Sequence, residues 1–140
     1  MFLASGQAVA DTAPRSLVLI ANRDLVIAPL NPTELRRLFL GRPVLRNGLA
    51  LAPIRNETDP VLYQVFLQKV LFMSARTYEQ QIISQIFNNG GVRPPRYTNL
   101  VQLAAAVTTA PNSVSYMWAD NANAFPVLRV VQVIWQEGYP

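Results

Sequence analysis

Two helices in this chain have their starts specified residue by residue, each a few residues after a short apolar run, and this limits the folds open to it. Ser16–Ala21, SLVLIA, is apolar at every position but the first, the pattern of a strand covered on both faces. A second short extended piece is expected at Leu25–Ala28. Then comes LNPTELRRLFLG, where Asn31 can cap, Pro32 fits the first helical position and Glu34 completes a capping box. Leu35, Leu38 and Phe39 share one face, and Gly41 is a stop. The second case begins with the strand expected over Leu49–Ile54, which runs into Asp59-Pro60. These two supply a cap and first position for a helix reaching about Phe72, with Leu62, Val65, Phe66 and Val70 on its apolar face and the Lys69 stem at the edge. Asn47-Gly48, between Val44-Leu45 and Leu49–Leu51, is a tight-turn signal.

The remaining chain continues the theme. Ser74 caps a third helix, ARTYEQQIISQIF, whose Tyr78, Ile82, Ile83, Ile86 and Phe87 are expected on one face. Asn88-Asn89-Gly90-Gly91 ends it, and VRPPRYT reads as a stiff linker because each proline restricts the residue before it. An Ala-rich helix over Asn99–Thr108, a turn at Pro111-Asn112, and strands over Ser113–Ala119 and Val127–Trp135 complete the order. In the first of these strands Tyr116 and Trp118 alternate with Ser115 and Met117, so one face is core; an aromatic ligand platform is the other reading. Helical crossovers between apolar strands predict an α/β fold: a mixed β-sheet covered by helices. The 140 residues suit one domain.

Composition narrows the chemistry. The chain has no cysteine and no histidine, which removes disulfides, thiolate zinc sites, the cysteine nucleophile and the commonest general base. No carboxylate pair has metal or glycosidase spacing, and no P-loop or GxGxxG occurs. The expectation is a non-enzyme without cofactor or metal. The net charge is +4, and Arg36, Arg37, Arg42, Arg46 and Arg55 fall within twenty positions. They form no dense basic run and no nucleic-acid motif, so they read as a solvated surface. No apolar run is long enough to span a membrane.

The first residues, MFLASGQAVADTAP, are small and apolar and include Ala8-Val9-Ala10, similar to the A-x-A end of a secretory signal. A basic start and a longer apolar middle are missing. The expected organisation is an export-signal remnant or flexible N-terminus over 1–14, with a mature start near Asp11, one folded lobe over 15–136, and a tail over 137–140. That reading implies a periplasmic or secreted protein.

Together, LNPTELRRLFLG, the Asn-Gly turn, ALAPIRN, NNGGVRPPRY and APNSVSYMWA, in that order, resemble one lobe of the periplasmic phosphate-binding receptors, the substrate-binding proteins of phosphate ABC transporters. That family has a Leu-Ser-x-x-x-Leu-x-x-Ile-Phe-x-Gly helix, an extended strand ending in arginine, a Gly-rich Pro-Pro segment and a Pro-Gly-Ala-Ile-Gly-Tyr-Val strand. The match runs from about Leu17 to Ile134. It implies one lobe of a type 2 periplasmic binding protein, where the full receptors have two lobes that close on phosphate. It also implies partners: phosphate or another small anion, and a transporter component or membrane sensor, with no nucleic acid.

The family holds its anion with an Arg-x-Asp pair and Ser-Gly-Thr at a helix N-terminus. The resemblance carries this to Arg55 and Glu57, leaves Thr58 as the hydroxyl, and lacks the glycine that lets a backbone approach an anion. The candidate anion-binding turn is therefore Arg55, Asn56, Glu57 and Thr58. Asp59 competes with an anion as the helix cap, because it accepts from the same N–H groups. The alternative is that Arg55 pairs with Glu57 or Asp59 and ties down the turn. Arg93 and Arg96, flanking Pro94-Pro95, are secondary candidates that otherwise read as solvated loop residues.

Overall fold

The computed structural model describes residues 14–138; the export-signal expectation lies almost wholly outside them. A four-stranded sheet runs in the order β4-β7-β1-β8. Its strands are β1 (Ser16–Asn22), β4 (Ala52–Pro53), β7 (Ser113–Trp118) and β8 (Leu128–Gln136). β1 pairs antiparallel with β7 and β8, while β4 and β7 are parallel, so the sheet is mixed as the sequence implies. The β1–β8 ladder carries two register shifts, at Leu17/Val18 and Leu19/Ile20. Pro53, which can donate no ladder hydrogen bond, sits in the edge strand where that loss is tolerated.

Both faces of the sheet are covered. Leu17, Leu19 and Ala21 of β1 point with Val114, Tyr116 and Trp118 into the larger core, while Val18 and Ile20 point with Met117 into the smaller. Ser113–Trp118 is buried throughout, so Tyr116 and Trp118 are core residues and form no exposed platform. Three helical segments cover the larger side: α1 (Pro32–Phe39), α2 (Pro60–Val65) with its continuation, and α3 (Ala75–Asn89). α4 (Leu100–Thr109) and the short α5 (Ala119–Ala122) cover the other. Phe39, Phe66 and Tyr116 lock the larger core, with Phe66 stacked on Tyr116 at 3.6 Å and Phe39 edge-on to both at 5.2 and 5.3 Å.

The helix starts follow the sequence closely. Asn31 and Glu34 form a reciprocal capping box, and Ser74 and Asn99 each accept from the backbone N–H three residues on. Asn47 and Gly48 both have positive φ, the backbone of a two-residue hairpin turn joining β2 (Leu45–Arg46) to β3 (Leu49–Ala50).

The departures are local. Leu25–Ala28 is irregular, with no strand partner. Leu49–Ile54 is not one strand but changes partner midway, from the β2 hairpin to β7. The linker VRPPRYT contains β6 (Arg96–Tyr97), which pairs in parallel with β5 (Arg55–Asn56). The helix begun at Pro60 widens into a π-helix over Phe66–Leu71 before Phe72 closes it at φ 57°. The wider turn lets Phe66, Leu67, Val70 and Leu71 all reach the core.

On α3 the buried face is narrower than its apolar spacing suggests. Tyr78 and Ile82 are buried, whereas Ile83 is 43% and Phe87 85% exposed. This predicts opposite responses from two apolar truncations on one helix. Ile82→Ala should cost about 2–5 kcal/mol through the cavity it leaves. Phe87→Ser should stay within about 0.5 kcal/mol of the parent. Urea unfolding of the two variants distinguishes this arrangement from one in which Phe87 is core.

Candidate functional site

The candidate turn lies where β5 leaves the side of the sheet and enters α2. β5 is held by backbone bonds on its β6 side, from Arg55 N–H to the Pro95 carbonyl (2.7 Å) and from Glu57 N–H to the Tyr97 carbonyl (2.9 Å). That pairing brings the secondary candidates to the site, because Arg96 stands opposite Arg55 in the ladder.

Arg55 is fully buried. Its Nη2 donates to Glu57 Oε2 (2.9 Å), Glu79 Oε2 (2.6 Å) and the Tyr63 hydroxyl (3.1 Å). Its guanidinium carbon lies 4.8 Å from the centre of the Tyr78 ring, a cation–π contact. Burial opposes the charge, but Tyr78, Glu79 and Tyr63 outweigh it and push the Arg55 pKa upward. Arg93 pairs with the other oxygen of Glu79, and Arg96 lies 3.7 Å from Glu57. The five side chains form an alternating row, Arg93–Glu79–Arg55–Glu57–Arg96. Arg93 and Arg96 are therefore members of the Arg55 network and not merely solvated. Arg55 pairs with Glu57, as one sequence reading has it, but not with Asp59.

The N–H groups of Arg55, Glu57, Thr58, Val61 and Leu62 are used by the chain itself. The Asn56 carboxamide donates to the Tyr116 carbonyl at 2.8 Å, and its oxygen accepts from both the N–H and the hydroxyl of Thr58 at 3.0 and 2.7 Å. Asp59 Oδ1 accepts from the Val61 and Leu62 N–H groups at 2.8 and 3.5 Å, so the expected cap is present. Its Oδ2 accepts from Trp118 Nε1 at 3.0 Å, an anchor to β7 with no local signal in the sequence. Partial burial raises the Asp59 carboxyl pKa, but the indole and the two backbone donors outweigh it and hold it below the ordinary range.

Sequence reasoning finds Arg55, Asn56, Glu57, Thr58 and Asp59 because they are contiguous. It misses Glu79, Tyr63, Tyr78 and Trp118, which reach the turn only through the packing of α2, α3 and β7. Three buried polar atoms, Arg55 Nε, Arg55 Nη1 and the Tyr116 hydroxyl, lack a hydrogen-bond partner among the described residues. The guanidinium thus makes all its hydrogen bonds through one nitrogen, to two carboxylates and the Tyr63 hydroxyl. Among the described residues no cluster of acidic side chains could hold a metal ion, and no helix is long and apolar enough to cross a membrane.

No protein-family model and no curated protein matches the chain. Solved structures do. An ABC-type phosphate transport receptor from Vibrio cholerae superposes with a TM-score of 0.64 at 12% identity, covering 86% of this chain and 46% of that one. PstS from Borrelia burgdorferi gives 0.63 at 13% identity, over 91% and 50%. A possible phosphate binding protein from Planctomyces limnophilus gives 0.59 at 13% identity, over 94% and 48%. The fold is that of the phosphate-receptor lobe that the motifs resemble, and the chain spans about half the length of the proteins it superposes on.

Two predictions follow from the charge row. The Glu57→Gln/Glu79→Gln double variant strands a buried guanidinium and should cost about 3–5 kcal/mol. Adding Arg55→Met should recover most of that loss in denaturant unfolding. The second concerns acid. Burial raises the Glu79 pKa, but its bonds to Arg55 and Arg93 outweigh that and depress it overall. A depressed carboxyl contributes stability above its unfolded value, near 4.5 here, which is lost as pH falls through the folded one. Melting temperatures should fall below that pH in the parent and less steeply in Glu79→Gln.

Proposed function

We propose that this chain is a non-enzymatic, exported, solute-binding-like module related to the phosphate ABC transporter substrate-binding proteins, with weak or lost affinity for phosphate and other small anions. The folded lobe is residues 15–136. The observation that carries this reading is the state of Arg55. Its charge is already met by Glu57 and Glu79, while Asn56 and Asp59 take the N–H groups an anion would need. A phosphate entering Arg55, Asn56, Glu57 and Thr58 would face three carboxylates and displace a cap.

A second reading has one observation in its favour. The chain spans 46–57% of the receptors it superposes on, and the outer arginines of the charge row, Arg93 and Arg96, are exposed. The lobe would then serve as a scaffold that turns this face to a membrane sensor or transporter component. Recovery of such a component from envelope extracts, lost on Arg93→Glu/Arg96→Glu, supports it; recovery indifferent to those changes counts against it.

Isothermal titration tests the main reading. Phosphate and sulfate should bind the parent protein more weakly than about 1 mM, or about −4 kcal/mol; micromolar binding refutes it. Asp59→Gly opens the turn. It should lose a few tenths of a kcal/mol from the cap and about 1–3 kcal/mol because Trp118 Nε1 is left buried without an acceptor. Phosphate should then raise its melting temperature more than the parent's, with chloride at matched ionic strength as control.

A further inference from the structure

We infer that a second face, formed by the end of α1 and the side of α3, docks an acidic peptide segment that carries one apolar side chain. This goes beyond the reading of the Arg55 turn, and none of the residues it uses lies in that turn.

The described carboxylates that form salt bridges serve arginines elsewhere: Glu34 holds Arg46, while Glu57 and Glu79 hold the Arg55 row. Among the described residues none makes an ion pair with Arg36, Arg37 or Arg42. Arg36 and Arg37 lie in the last turn of α1, where any cation is favoured by the helix dipole. Arg42 lies beyond that turn, and its only side-chain bond among the described residues is from Nε to the Gln85 amide oxygen at 3.3 Å.

The shape supports a bound chain. A depression between the two helices is lined by Arg36, Arg37, Arg42 and Gln81, with Phe72 and Met73 at one end. Phe72 is held in a left-handed backbone conformation, 68% exposed, and Arg36 sits 5.7 Å from its ring centre. On the far side of Arg42 a largely apolar cleft of about 320 Å³ is walled by Pro43, Leu51, Pro53, Val92 and Pro94, with Arg93 of the charge row at its margin. Its floor offers no free donors, because Leu51, Ala52 and Ile54 N–H groups are all bonded and Pro53 has none. Arg42 therefore stands between a cationic groove and an apolar cleft of side-chain size.

These features select among polyanions. The α3 side is lined by amides: the Gln85 oxygen already accepts from Arg42 and Asn89, while Gln81 and Asn88 present acceptors as well as donors. A peptide backbone uses both, whereas the phosphates of nucleic acid or lipid use only donors. A second copy of this chain, with net charge +4, would bring the wrong sign.

The probe is a fluorescein-labelled peptide, Glu-Asp-Glu-Leu-Asp-Glu, followed by fluorescence anisotropy with the full chain. Saturable binding is expected. It should weaken at least tenfold in Arg37→Glu/Arg42→Glu and several-fold in Val92→Asp, and should fall when sodium chloride is raised to about 0.5 M. Replacing the peptide's leucine by serine should also weaken it. Arg76→Glu, an exposed charge reversal near the start of α3, should leave it unchanged, and circular dichroism confirms that each variant is folded. No saturable binding, equal loss in Arg76→Glu, or stronger binding to phosphatidylglycerol vesicles or duplex DNA than to the peptide overturns the proposal.

Discussion

A guanidinium buried beside the sheet and held by two carboxylates is costly to bury, and much of the local architecture follows from it. Arg55 draws Glu57 from its own turn and Glu79 from α3, and it packs on Tyr78, whose hydroxyl in turn bonds the Phe39 carbonyl at the end of α1 at 2.6 Å. One charge thereby fixes β5, α2, α3 and the end of α1 relative to one another. A charge so placed is weak evidence for net stability, since well-packed apolar residues often do as well. What it supplies is a demand that these elements arrive together, because losing either carboxylate weakens the compensation of a charge that water does not reach.

The same geometry separates the fold from the site. The motif resemblance implies an arginine and a helix N-terminus that together hold an anion. Here Arg55 is buried against Glu57 and Glu79, and the N-terminus of α2 is closed by Asp59, itself tied to Trp118. The likeness to phosphate receptors at 12–13% identity concerns backbone architecture. The chemistry of this turn is set by Glu57, Asp59 and Glu79, side chains that the fold alone does not dictate.

Local features were legible in the sequence, and non-local ones were not. Asn31, Asp59, Ser74 and Asn99 announce helix starts because a cap acts within three residues, and Asn47-Gly48 announces its turn for the same reason. The two-sided burial of SLVLIA was also readable, because a short run apolar at successive positions suits a strand covered on both faces. The strand expected over Leu49–Ile54 failed since its partner changes from β2 to β7, which composition does not record. Ile83 and Phe87 have helical spacing to the core, yet the stripe on α3 that meets it is narrow, burying Tyr78 and Ile82 and partly covering Ile86. Glu79 was invisible as a site residue because it meets Arg55 across 24 positions.

The two register shifts in the β1–β8 ladder bear on the outer edge of the sheet. β8 is nine residues long, lies at the sheet's margin and exposes Val130 and Val133. A flat strand of that length and character is a template on which another chain can add. Each irregularity increases the local twist and breaks the even spacing of backbone groups along the ladder. The margin therefore cannot offer an incoming strand a continuous row of partners, and the chain can carry a long valine-rich border strand without presenting a straight seam for self-assembly.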